Sequence, residues 1–517
     1  MPICAERLTA NPRTWPGNSG KGRCAHPSLL TTDAVSFRHR CFSPLVECTA
    51  VKLTGLFQAD KRRIFVISPD IDTHQVWHVE RNGINPINAS GRHGTVRQVF
   101  WLWFAGNLSF TYLVIGAVVW SYGLSLGQSV LAIATGLLSF AAIGYLGIPG
   151  KVTGLPTMAY SEKYFGPKAN RFIALIAWLN MVGWETIVLI IGSYALQTVF
   201  HLVFGVPLTA VWLVASLGLT ASAELFLAFL GHATIEYLQQ RISYIFGFLT
   251  LLVVLALLPH TAWHAVWTHS SGSWLKGVIP AITIVVAVSA LSWITTASDY
   301  TRYLPHHLPN RRIAYAATLG SIIPTLGLML TGLLLAQSAP ALATAANPVE
   351  FLLHWLPLWA QIPYLIITLT GMLAGGILCA YSSGLSLLAA GVKVPRSRTV
   401  GIDAVLSITA SLYVLLVSQG FLNSFEGFLE LIATFLAPWA AIALLNVRQI
   451  QPTAPSRAII AWLIGAAVAL STTATPVFTG PLAVGIFNGS SLGYFVGFAV
   501  TALVYISGKR QSPGGPF

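Results

Sequence analysis

From residue 99 onward the chain is a series of long apolar runs separated by short polar breaks. Twelve runs can be drawn, at about 99–121, 127–149, 172–199, 208–231, 242–259, 277–298, 313–336, 359–389, 402–419, 425–446, 457–475 and 484–507. Each is close to the ~20 residues a helix needs to cross roughly 30 Å of hydrocarbon. None alternates apolar and polar positions as a barrel strand does, so helices are the expected way to satisfy the backbone in lipid. The pattern predicts an all-α integral membrane protein with twelve transmembrane helices. Loops are short, so one membrane domain over 98–507 is expected, with a pre-membrane segment at 76–97 and a tail at 508–517. In the longest later loop, about 337–358, the stretch NPVEFLLHWLP is expected to form a short helix across the outer face.

Composition agrees: the 517 residues are 55% hydrophobic and only 9% charged. The mean hydropathy is +0.70, beyond what a water-soluble domain needs to bury its core. A net charge of +13 would suggest nucleic acid in a soluble protein, but its distribution argues otherwise. Of the 29 Lys and Arg residues, 28 lie before the first span, in even-numbered loops or after the last span, and Lys276 is the exception. Insertion topology accounts for that asymmetry, placing both termini and the even loops in the cytoplasm of a multi-pass protein of the cytoplasmic membrane, with the bilayer as its surroundings and no nucleic-acid partner. Cys4, Cys24, Cys41 and Cys48, with His26 and His39, sit in the polar leader 1–75. Their spacings lack the paired geometry of zinc modules, so no metal and no cofactor is expected. The leader reads as disordered or as outside the working protein, with a start near Val51 as an alternative. It shows no signal-peptide pattern.

Two spans are interrupted. The first, WLWFAGNLSFTYLVIGAVV, is broken by Gly106, Asn107, Ser109 and Thr111, and the sixth ends in SWITTASDYTRYLP at 292–305. Interrupted spans five apart are what an inverted five-plus-five repeat predicts, with substrate groups held near the midplane by exposed helix ends. Close helix packing through small residues is the alternative. Acids inside spans cost ~2.5–3.5 kcal/mol each and usually mark a relay, an ion path or a ligand contact. Glu185 stands out, in LNMVGWETIVL, as a proton carrier, a structural hydrogen-bonding group or a direct ligand contact. Glu224, Glu426 and Glu430 are further relay candidates, the last two on one helix face. Asp299 and Arg302, three apart, can pair across one turn and anchor or gate the cytoplasmic end.

SWITTASDYTRYLP resembles the sixth-span signature of the nucleobase-cation symporters, in particular the purine-cytosine permease branch. Other segments agree in order: VERNGINPINASGR with WLWFAGN, GIPGKVTGLPTMAYSEKYFG, GHATIEYLQQR, AYSSGLSLLAAGVKVPR and LAPWAAIALLN. The resemblance covers roughly 79–507 and implies a secondary transporter of five-plus-five type with two extra helices, its first and sixth helices broken. Such a protein binds a planar heterocycle between spans 1, 3, 6 and 8 and moves it by alternating access.

The resemblance further implies that Trp184 and Trp293 sandwich the base, each face contributing ~1–3 kcal/mol of stacking. Amides that usually read the base edge are replaced by Val188 and Cys379. Asn180, Ser382 and Ser383 share helix faces with those positions and are candidate substitutes, as are Asn107, Ser109 and Thr111 in the first span; each can instead bond its own helix backbone. Where sodium-coupled relatives carry paired hydroxyls, this chain has Leu373 and Ala374, so a proton is the expected coupling cation. Trp293 and the Ser/Thr run after it are expected to line the cavity in the unwound part of the sixth helix, and the activity the resemblance implies is import of a nucleobase or related heterocycle. Allantoin, hydantoin, uracil, hydroxymethylpyrimidine and thiamine are the alternatives. A polytopic enzyme would need an acid or histidine cluster, and His306 and His307 stand without one.

Overall fold

The computed structural model describes residues 75–417, 421–447, 454–475, 477–484 and 492–507, with the side chains of 421–426 and 428 excepted. The leader with its cysteines, the tail at 508–517 and the Glu426 side chain lie outside the described residues.

The helices that position the site are α1 (Val96–Gly106), α2 (Thr111–Ser121), α3 (Leu126–Thr153), α4 (Thr157–Phe204), α5 (Ala210–Leu230) and α6 (His232–Leu257). They continue with α7 (Trp274–Thr301), α8 (Asn310–Ala336), α9 (Leu358–Ala389), α10 (Arg396–Leu416), α11 (Phe421–Asn446), α12 (Pro455–Ser471) and α13 (Gly493–Ser507). Among the described residues nine helices are long and apolar enough to cross a membrane, ten if α1 and α2 are one bent span. The two further expected spans, 457–475 and 484–507, are the shorter apolar helices α12 and α13. The stretch NPVEFLLHWLP contains a helix over Pro348–Leu353, begun by Asn347 accepting from Glu350 N at 3.2 Å.

A capping box between Thr95 and Gln98 starts α1, satisfying two of the amides every helix start leaves unpaired. At Asn107 the helix stops, and α2 resumes at an angle of 61°. The Asn107 amide donates to Trp103 O at 2.9 Å and to Ser321 Oγ at 3.3 Å, and its oxygen accepts from Tyr112 OH at 2.8 Å. One polar side chain therefore caps α1, binds α8 and holds the first turn of α2. Glycines bring the neighbouring backbones close: a Cβ added at Gly371 of α9 would overlap Leu108 O, and one at Gly116 or Gly332 would drive α2 into α8.

The second irregular helix is α7. It widens to π-helical turns at Ala287–Leu291, then tightens to a 3-10 turn at Ile294–Thr296 after Trp293. The change of winding turns Trp293 off the regular helix face, and π-turns recur at functional positions. α4 is two helices joined at Gly166, whose φ of 69° a side chain would resist, followed by Pro167.

Candidate functional site

The break between α1 and α2, the middle of α4, the rewound part of α7 and the middle of α9 converge on one tightly closed cavity of about 40 Å³. Trp184 and Trp293 both line it. Trp293 is held from behind by Trp103, edge-on at 5.8 Å between ring centroids, and Trp103 meets Tyr300 in the same way. Edge-to-face packing of this kind adds about 0.5–1.5 kcal/mol beyond burial and fixes ring orientation. The Trp293 plate is therefore set by a side chain that is itself fully buried.

Ser109, Thr111 and Cys379 line the cavity beside Gly106, Tyr112, Gly371 and Gly375, and Met181, Ile187, Val188 and Val288 supply apolar walls. Asn107 does not face it, being spent on the helix break. Asn180 donates to Ser292 O at 3.1 Å, tying α4 to α7, and it lines a neighbouring cavity together with Glu430. Thr111, Trp184 and Val288 belong to both cavities, so the Trp184 ring forms part of the wall between them. Ser382 bonds Tyr300 OH at 2.9 Å. Ser383 donates to Asp403 Oδ2 at 2.7 Å. Neither serine lines the central cavity, whereas Val188 and Cys379 do.

The Ser/Thr run after Trp293 also differs from expectation. None of it lines the cavity, whereas Ser292, just before Trp293, does. Thr296 returns to Trp293 O at 2.9 Å, while Ser298 donates to Leu146 O at 2.7 Å and Thr301 to Gly147 O at 2.6 Å. The last two hydroxyls clasp the C-terminal part of α3, where Gly147 and Gly150 let α7 come close.

Behind the cavity wall lies a buried acidic group. Glu185 accepts from Ser407 Oγ at 2.8 Å through one oxygen, and its other oxygen has no protein partner. Glu224 is fully buried with neither oxygen bonded, and a Cβ added at Gly376 would overlap its carboxylate. Asp403, which the sequence reading passed over, is bonded by Trp178 Nε1 at 2.6 Å as well as by Ser383. An acid at the start of an apolar run was the signal for it.

Asp299 and Arg302 do not form the expected ion pair. Asp299 accepts from Thr157 N at 2.8 Å and from Thr157 Oγ1 at 3.0 Å, capping α4. Arg302 instead pairs with Glu80 at 3.0 Å and donates to Gly83 O at 2.6 Å, Tyr303 OH at 2.7 Å and Tyr381 OH at 2.9 Å. A reach of more than two hundred residues outcompetes a neighbour one turn away because it offers the guanidinium several acceptors in its plane. Glu80 also accepts from His232 N at 2.9 Å, and its backbone N donates to Leu230 O at 2.8 Å. Arg396 binds Glu80 O at 3.3 Å, Ala228 O at 3.0 Å and Phe229 O at 2.6 Å. The pre-membrane segment thus straps the ends of α5, α6, α7 and α10 together.

Among the described residues no group of three or more His, Cys, Asp and Glu could hold a metal ion.

Residues 86–452 match the family model described as a permease for cytosine/purines, uracil, thiamine and allantoin. A candidate purine-cytosine permease of Bacillus subtilis is 27% identical over 83% of this chain and 95% of its own length. A purine-cytosine permease of Saccharomyces cerevisiae is 23% identical over 71% of each chain. The structure of Mhp1, a nucleobase-cation-symport-1 family transporter, in a closed conformation with bromovinylhydantoin bound, superposes with a TM-score of 0.65 at 15% identity, covering 83% of this chain and 94% of that one. That likeness shows the transporter fold, and these relatives are permeases rather than enzymes. With its matched segment spanning most of the membrane helices, the chain belongs to the family of permeases for cytosine/purines, uracil, thiamine and allantoin.

Proposed function

We propose that this protein imports a nucleobase or a related planar heterocycle across the cytoplasmic membrane, by proton symport with alternating access and with both termini inside. The observation that carries this reading is the placement of Trp184 and Trp293 on one cavity where the α1–α2 break meets the rewound part of α7. Two indoles on one cavity suit a flat aromatic cargo whatever its hydrogen-bond pattern. Selection falls to few groups: the hydroxyls of Ser109 and Thr111, the Cys379 thiol, and backbone groups exposed at the break. Because Val188 and Cys379 stand where purine and cytosine carriers place amides, and because Asn180, Ser382 and Ser383 are engaged elsewhere, cargoes such as allantoin, hydantoin, hydroxymethylpyrimidine or thiamine are the second reading.

A proton suits the coupling role better than sodium. Leu373 and Ala374 offer no side-chain oxygen, and the Ala374 carbonyl already accepts from Gln239 Nε2 at 2.8 Å. Glu185, Glu224, Glu426 and Glu430 are the acids from which a carrier is drawn. The strap around Glu80 and Arg302 forms the cytoplasmic gate, with Asp299 holding α4 in place beside it.

Uptake of labelled adenine, cytosine, hypoxanthine, uracil and allantoin into proteoliposomes tests the reading. At least one is expected to accumulate, to fall about tenfold with a protonophore, and to change less than about twofold when choline replaces sodium. Strict dependence on sodium refutes the proton. A second expectation concerns Cys379, the one free cysteine among the described residues. Alkylation there overfills the cavity and should cut uptake about tenfold. A transported base should protect it, and Cys379→Ser should escape inhibition. Inhibition that persists in Cys379→Ser would place the reactive thiol elsewhere.

A further inference from the structure

We propose that Glu224 is the residue that carries the coupled proton, and that α9 links its protonation to occupancy of the cavity. The inference rests on the proton-symport reading and selects one acid from four.

Glu224 is fully buried on α5, and both its carboxylate oxygens lack a hydrogen-bond donor. Glu185 differs, because Ser407 donates to it; Asp403 differs more, with donors on both oxygens. An ionised carboxylate needs donors or a cation, and leaving it without either costs several kcal/mol. The charge that acts on Glu224 is a like one, that of Glu185 on α4. From α9 the titratable neighbour is the Cys379 thiol. The groups of the adjoining helix ends lie elsewhere: Arg396 of α10 binds the carbonyls of α5 and of Glu80, and the buried His232 ring of α6 is stacked on Tyr303 with neither nitrogen hydrogen-bonded. The site as folded accepts the neutral acid and rejects the anion.

Its position gives that protonation a consequence. The carboxylate lies against Gly376, where no side chain could fit. The adjacent Gly375 and the residue one turn on, Cys379, line the substrate cavity. One helix backbone therefore separates the cargo from the acid. When Glu224 takes a proton from water, α5 can close on Gly376; when it returns that proton to water on the other side, the anion draws in water and forces α5 and α9 apart. A cargo pressed against Gly375 and Cys379 favours the same packed arrangement as the protonated acid. Two ligands that favour one state each raise the affinity for the other.

The test uses full-length protein in proteoliposomes, with the same five labelled compounds. Glu224→Gln is an isostere of the protonated acid. It is expected to keep counterflow exchange within about twofold of wild type, to lose gradient-driven accumulation by about tenfold or more, and to make exchange independent of pH between about 5.5 and 8. Glu350→Gln, which removes a carboxylate bonded to Asn347 in the short Pro348–Leu353 helix, should accumulate as wild type does. A Glu224→Gln protein that still concentrates its base under an imposed pH gradient overturns the assignment while leaving proton symport standing. A wild-type protein that transports a base with no response to the gradient overturns both. If Glu224→Gln does not fold, Glu224→Asp decides: a displaced pH profile of accumulation supports the assignment and an unmoved one overturns it.

Discussion

Cutting Arg302 back to alanine is expected to destabilise the protein by about 3–5 kcal/mol, the usual result of removing one partner from a buried ion pair. Arg302 is wholly buried and serves four acceptors on the strap and its neighbours. Without it the Glu80 carboxylate keeps Arg396 nearby but loses its close partner. Thermal unfolding in detergent should show a lower midpoint, and Cys379 should become reactive to a reagent supplied from the strap side. Arg302→Lys should recover only part of the loss, because a point charge cannot serve Gly83 O, Tyr303 and Tyr381 in one plane. An unchanged midpoint together with an unreactive Cys379 would remove the gate from this cluster. Acidity will not open it. Burial pushes the Glu80 carboxyl up, but Arg396, Arg302, the His232 amide and the Tyr303 hydroxyl outweigh burial and hold it at about 2. A depressed carboxylate contributes stability that is complete above its ordinary value of 4.5 and is lost only as pH falls toward about 2. The strap stays closed at every pH a cell meets, so any pH dependence of transport must come from other groups.

Trp293→Ala is expected to weaken binding of the transported base by about 1–3 kcal/mol, or roughly 5- to 150-fold. Trp184→Ala should do the same from the opposite helix. Trp293→Phe should recover much of the loss, because a smaller ring still offers a face. Quenching of tryptophan fluorescence against the same five compounds reads all three variants. A Trp293→Ala protein that binds as tightly as wild type would dismiss stacking as the source of affinity. Trp103→Ala offers a subtler comparison, since it removes the edge that orients Trp293 without touching the cargo.

What the sequence made legible follows from the range over which each signal acts. Helix length and apolarity are local, so the membrane helices could be drawn from the pattern alone. Trp184 and Trp293 were recognisable because large polar-edged rings are conspicuous in the middle of a span and fit a family signature. The fate of hydroxyls and amides was not legible. Asn107 and Ser109 sit two residues apart, yet one caps a helix and the other faces the cavity; only the 61° bend decides which. Arg302 had an acid three residues away, and its true partner, Glu80, lay in the quoted pre-membrane stretch with nothing in the spacing to join them. Asp403 and Glu224 differ in the same way. Both are acids in apolar runs, and only the presence of Trp178 and Ser383 around one separates a satisfied carboxylate from an unsatisfied one.

Between α2 and α8 the contact runs through Gly116 and Gly332, so that bare main chain rests on main chain. At those two points no side chain lies between the helices to serve as a lubricating layer. Sliding one rod along the other would grind carbonyl against amide, and tilting them apart would forfeit the whole seam at once. The two rods are therefore expected to travel as one beam, and since a Cβ added at Gly320 of α8 would overlap Phe100 O, α1 rides against the same beam.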